Sequence, residues 1–154
     1  RMARQNTKLE SEGAEFLVLG HLLVNRILSY KTYTNMPGYD LVATNPERNT
    51  AAKIQVKSRW RTGAPGFLIK NFDCDFIVVV KLNRGQKGGG GKVFPPEFFV
   101  FPCEVVRNVC KKKKTTWSKV FFRDIAGCDQ YQEAWQRIED FLSGTPVPSG
   151  GGES

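Results

Sequence analysis

The sequence predicts an α/β fold, a mixed central sheet flanked by helices. Three observations carry that expectation. Residues 7–29 place apolar side chains at helical spacing. Residues 30–58 contain three short strand-like runs separated by polar turns. Residues 75–82 (DFIVVVKL) form a continuous β-branched run, the pattern of a central strand buried on both faces.

The elements follow in order. Thr7 suits the N-cap of the first helix, and Glu10 completes a capping-box pattern. Leu9, Phe16, Leu19, Leu23 and Ile27 share helical spacing, while Leu17, Leu22, Val24 and Leu28 widen the apolar face. Such a helix is expected to pack on a sheet. Glu15 lies in its apolar half, where a lone carboxylate is costly unless it is paired or binds a metal. Residues 30–34 (YKTYT) read as a first strand, with a turn at Asn35, Pro37 and Gly38. Residues 39–44 (YDLVAT) and 52–58 (AKIQVKS) complete an antiparallel meander around a polar turn at 45–49.

Residues 59–73 read as a loop marked by Gly63, Pro65 and Gly66. After the 75–82 strand, residues 85–92 (GQKGGGGK) read as a flexible loop, either a linker or a mobile flap. They lack the Gly-Lys-Ser/Thr ending of a phosphate-binding loop. Residues 97–101 read as a strand ended by Pro102, 103–110 as a short helix and 118–122 as a short strand. Residues 129–142 read as an amphipathic helix capped by Asp129, with Tyr131, Ala134, Trp135, Ile138, Phe141 and Leu142 on one face. The expected organisation is one domain over residues 1–143 and a flexible tail over 144–154.

Composition narrows the class. The 154 residues suffice for one domain with a core, and the 40% hydrophobic content marks a globular protein. No apolar run reaches the roughly 18 residues of a membrane span. The N-terminal residues lack a signal-peptide pattern, so a cytoplasmic location is expected. Cys74, Cys103, Cys110 and Cys128 form no C-x-x-C pair and have no nearby His. Reduced, buried thiols are expected rather than zinc ligands or disulfides. The formal net charge of +8 favours a polyanionic partner such as nucleic acid, with plain solubility as the competing account.

The most informative stretch is 38–58, GYDLVATNPERNTAAKIQVKS. Two strands joined by a turn bring Asp40, Gln55 and Lys57 to one end of a hairpin. Gln55 and Lys57 are two residues apart and therefore share a strand face. A carboxylate, a second oxygen ligand and an ammonium in one cleft suit metal-assisted attack on a phosphodiester.

A helix carrying Glu, a strand opening on Asp and a strand carrying Gln-x-Lys resemble the PD-(D/E)XK nuclease superfamily. The resemblance spans roughly residues 7–82. The later FFVFPCEVV and YQEAWQRI segments also look like a bacterial subgroup of these nucleases. It implies a restriction-endonuclease-like fold and a Mg²⁺-dependent DNA endonuclease that hydrolyses phosphodiester bonds through a metal-activated water. Asp40 matches the metal-binding Asp, although Tyr39 stands where Pro is usual. Lys57 matches the Lys. Glu15, in Gly13-Ala14-Glu15, matches the helix carboxylate, with Glu12 as the fallback. Gln55 stands in the acidic position, as in some homing endonucleases. The implied catalytic set is Glu15, Asp40, Gln55 and Lys57. The implied Mg²⁺ ligands are Asp40, Gln55, the carbonyl of Val56 and Glu15, with Mn²⁺ able to substitute. An amide at 55 coordinates Mg²⁺ without adding charge. A DNA-binding protein of the same fold with weakened catalysis is therefore the alternative. Members often pair to cut two strands, which makes a homo-oligomer part of the expectation.

Further residues are candidates for DNA contact. Ser58, Arg59, Trp60 and Arg61 follow the motif directly and suit phosphate contacts or base stacking, or else a solvated strand end. Lys111, Lys112, Lys113 and Lys114 form a basic run that either touches the DNA backbone or faces solvent. His21, the single histidine, is expected to be structural.

Overall fold

Ala14, Val18 and Leu22 recur at every fourth position and are fully buried. That stripe seats the first helix, α1 (Thr7–Val24), on a sheet. The described residues of this computed structural model are 7–33, 38–112 and 118–144. The turn residues Asn35 and Pro37, the basic residues Lys113 and Lys114, and the tail beyond Gly144 lie outside them. The buried stripe is narrower than the apolar sequence. Leu9, Phe16, Leu17, Leu23 and Val24 are exposed, which corrects the broad core face read from spacing.

The helix also stops earlier than its apolar pattern. Arg26 takes a left-handed φ of 64°. Its N–H donates to Leu23 O, and the N–H of Ile27 donates to Leu22 O, both at 2.9 Å. This crossed pair ends a helix and is usually built on glycine. With Arg in that position the stop carries no sequence signal. The first strand therefore begins at Leu28 rather than at residue 30.

Further strands and α-helices follow among the described residues: β1 (Leu28–Lys31), β2 (Leu41–Asn45), β3 (Thr50–Arg59), β4 (Gly66–Ile69), β5 (Phe76–Lys81), β6 (Glu97–Pro102), α2 (Cys103–Lys111), β7 (Ser118–Phe121) and α3 (Gln136–Ser143). β1, β2 and β3 form the expected antiparallel meander. β3 pairs in parallel with β5, and β5 pairs antiparallel with β6. The main sheet is mixed, in the order β1-β2-β3-β5-β6.

Alternation along β5 and β6 divides the core into two layers. Phe76, Val78, Val80, Phe98 and Val100 face α1 and α3, together with Trp135, Ile138 and Leu142. Ile77, Val79, Phe99 and Phe101 face the other side, with Val106 of α2 and Phe67, Ile69 and Val120 of β4 and β7. A strand buried on both faces has no polar positions to spare, which explains the unbroken run in β5. This is the α/β sandwich the sequence predicts.

Two further expectations need correction. The stretch read as a loop at 59–73 contains β4, which pairs with β7 in a separate two-stranded sheet. Gly66 marks a close approach there, since a Cβ would lie 2.1 Å from Val120 O. The helix read over 129–142 is broken. A 3-10 turn spans Cys128–Tyr131, and Glu133 takes φ 52° before α3 begins. Its N–H donates to Phe98 O at 2.8 Å, and Gln132 bridges to Phe99, so the segment pairs with the edge strand β6 instead of coiling. Phe141 is exposed, off the predicted face, and Asp129 sits in the 3-10 turn rather than capping α3. The glycine-rich loop closes on itself through Gln86 N–H to Gly90 O at 2.8 Å and Gly89 N–H to Gln86 O at 3.0 Å. Among the described residues, no helix is long and apolar enough to cross a membrane.

Candidate active site

β2 and β3 pair as far as Leu41 opposite Ile54 and then part. The last rung is Asp40 N–H to Ile54 O at 2.8 Å. Beyond it the Asp40 side chain takes the place of a strand partner, its Oδ2 accepting the Val56 N–H at 2.8 Å. A strand residue sends its N–H and C=O to the same edge. The Val56 carbonyl therefore faces the same opening as the Asp40 carboxylate. Gln55 and Lys57 flank Val56 on the strand face that alternation assigns them.

These residues line one cleft of about 540 Å³ with Glu15, and Ser58, Lys70 and Asn71 border it too. The structure thus brings Glu15, Asp40, Gln55, Val56 and Lys57 together. Gln55 is buried and its Nε2 donates to Gly38 O at 3.0 Å and Asn71 O at 2.8 Å.

Charge in the cleft is unevenly compensated. Burial raises the pKa of Glu15, and the nearby Asp40 carboxylate adds to that, against the pull of Lys31. Lys31 on β1 pairs with both Glu15 and Glu12, the latter at 3.2 Å, and only 6% of its side chain is exposed. Burial works against the Lys31 charge, but its two carboxylate partners overcome this and its pKa is raised. Lys57 is lowered, first by burial and then by the Lys70 ammonium, with Asp40 opposing.

Three cleft-side partners escaped sequence reasoning. Lys31 neutralises Glu15 across 16 positions of sequence, and Asn71 holds Gln55 across the same separation. Lys70 follows β4, a strand that lies in the stretch the sequence reads as a loop. Neither long-range pairing leaves a local spacing to read. Glu10, read as a capping residue, accepts from Ser58 Oγ at 3.1 Å. Ser58 borders the cleft, so of the four residues that follow the motif it is the one placed there. Arg59, Arg61, Lys111 and Lys112 do not line it, although Lys111 and Lys112 are exposed at the end of α2. His21 stacks near Phe98 and Trp135, with ring centroids 4.2 and 5.6 Å apart, consistent with a structural role.

The four cysteines are free. Cys74 and Cys103 are buried, while Cys110 and Cys128 are half-buried. Burial and the neighbouring Cys103 push the Cys74 thiol up to about 12. Among the described residues no three His, Cys, Asp or Glu side chains cluster as metal ligands. Around the fork the cleft instead offers the Asp40 carboxylate, the Gln55 amide and the Val56 carbonyl, with Glu15 turned toward Lys31 and Glu10 engaged by Ser58.

No protein-family model matches the chain, and no curated protein sequence does. Among solved structures the chain is similar to a bacterial homing endonuclease, I-Ssp6803I. The TM-score is 0.59 over 92% of this chain and 96% of that one, at 22% identity. At that identity the likeness shows a shared fold, a mixed α/β architecture.

Proposed function

We propose that this chain is a Mg²⁺-dependent DNA endonuclease of the PD-(D/E)XK kind. The observation that carries the reading is the meeting of Asp40, Gln55 and Lys57 with Glu15 in one cleft. The net charge of +8 supplies sequence-independent attraction to phosphates. The fold likeness to a homing endonuclease agrees with it.

The donors available are all oxygen, which suits a hard cation that takes few protein ligands and keeps several waters. Asp40, the Gln55 amide oxygen and the Val56 carbonyl would hold Mg²⁺ or Mn²⁺, with Glu15 as a second carboxylate. When bound, such an ion supplies Lewis-acid chemistry, activating water and countering phosphate charge. The chain does the rest. The Val56 N–H holds Asp40 in place before any ligand arrives. Lys57 presents a half-buried ammonium to the charge that builds on the phosphoryl oxygens, where a partly desolvated cation acts strongly. Lys31 offsets Glu15 until that carboxylate is needed.

A second reading is a DNA-binding protein of the same fold with weakened catalysis. The uncharged Gln55 and the engagement of Glu15 by Lys31 favour it. Supercoiled plasmid incubated with Mg²⁺ separates the two, comparing wild type with Asp40→Ala and Lys57→Ala. Cutting lost in both variants supports the enzyme. Salt-sensitive binding without cutting supports the binder. Neither binding nor cutting overturns both.

A further inference from the structure

Gln55 is held from behind by its nitrogen. An amide NH₂ carries two donors. Gly38 O at 3.0 Å and Asn71 O at 2.8 Å take both, and the Cys74 sulfur lies 3.8 Å away. Two carbonyl oxygens cannot both face an amide oxygen, so the chemistry fixes which end of the amide points where. The oxygen has no donor among the described residues. No buried side-chain polar atom among them lacks a partner, so this oxygen opens onto the cleft that Gln55 lines.

The two carbonyls come from separate loops pressed together. Gly38 has φ +89°, and a Cβ there would fall 2.7 Å from Asn71 Oδ1 and 2.8 Å from both Asp73 Cβ and Asp73 O. The loops meet this closely only with glycine at 38. Asn71 Oδ1 accepts the Asp73 N–H at 2.7 Å, an Asx turn that fixes the local backbone and with it the Asn71 carbonyl.

From this geometry we infer that the amide at 55 is required rather than tolerated. Gly38 and Asn71 are positioning residues that grip the nitrogen of Gln55 and turn its oxygen toward the ligand position beside Asp40. A carboxylate at 55 sets an oxyanion against two carbonyl oxygens with no proton between them. The departure from an acidic residue is therefore matched by a cradle that rejects one. The grip stands on the distances alone. Its purpose rests on the metal reading above.

The test combines metal-free thermal unfolding with Mg²⁺ titration calorimetry on the full chain, for wild type, Gln55→Glu and Asn71→Ala. The expected result is a lower melting temperature for Gln55→Glu and no gain in Mg²⁺ affinity despite the added charge. Asn71→Ala is expected to weaken Mg²⁺ binding severalfold with little change in melting, a split that a purely structural role does not produce. Gln55→Glu melting like wild type, or binding Mg²⁺ roughly tenfold more tightly, overturns the proposal. So does unchanged affinity in Asn71→Ala, which keeps the test decisive if Gln55→Glu fails to fold. A wild type that binds no Mg²⁺ and cuts no DNA sinks the metal reading instead, while the melting of Gln55→Glu still decides the grip.

Discussion

Asp40 and Val56 are joined by a side-chain to backbone hydrogen bond of 2.8 Å at the fork where β2 and β3 separate. The carboxylate stands in for a missing strand partner. This gives Asp40 two separable jobs, tying off β3 and presenting a charged oxygen to the cleft.

Asp40→Asn and Asp40→Ala are expected to differ for that reason. Asn keeps an acceptor for the Val56 N–H but loses the charge. Its unfolding free energy should stay close to wild type while Mg²⁺ binding and DNA cleavage are lost. Ala loses both and should cost a further 1–2 kcal/mol or so, the price of a partly buried unpaired N–H. Chemical denaturation of the two variants side by side checks this.

Lys31→Met should destabilise the protein by about 2 kcal/mol, because it strands Glu15 in a partly buried site. Lys31→Arg should restore most of the loss. The sign of the pH dependence follows from the raised pKa of Lys31. Stability from a raised lysine is fully present below its ordinary value of 10.5 and is lost as pH rises through the folded value. On the alkaline side the gap between wild type and Lys31→Met should therefore hold from neutral pH and narrow above 10.5. Urea unfolding at neutral and strongly alkaline pH measures it.

Cleavage should fall on the alkaline side as Lys57 loses its proton, below the ordinary lysine range because burial and Lys70 both lower its pKa. Removing the Lys70 charge with Lys70→Met takes away one lowering influence. The alkaline limb of the pH–rate profile should then move to higher pH. A limb that stays in place removes Lys57 as the titrating group.

The ribbon of β4 and β7 depends on Gly66, where a Cβ meets Val120 O at 2.1 Å. Gly66→Ala should cost about 2 kcal/mol by forcing the strands apart. Thermal unfolding reads it directly.

The parts legible in the sequence are those whose cause is local. β5 reads as a strand because both of its faces are buried, and the β2–β3 hairpin reads from its turn and alternation. Asp40, Gln55 and Lys57 read as neighbours for the same reason, since one hairpin brings them to one cleft. What escaped depends on contacts distant in sequence. Arg26 ends α1 in a backbone state normally marked by glycine. Glu133 breaks the last helix because its N–H is claimed by Phe98 of β6. Gly66 resembles a loop glycine but serves a close strand approach. Lys31 reaches Glu15, and Asn71 reaches Gln55, from a strand and a loop that no short spacing links to the motif.

The most direct test of the central claim is anomalous scattering from crystals of the full chain grown with Mn²⁺. The account predicts a metal peak in the cleft within roughly 2.0–2.4 Å of an Asp40 carboxylate oxygen and the Gln55 amide oxygen. A cleft without a peak at saturating Mn²⁺, or a peak that Asp40 and Gln55 do not touch, would contradict it.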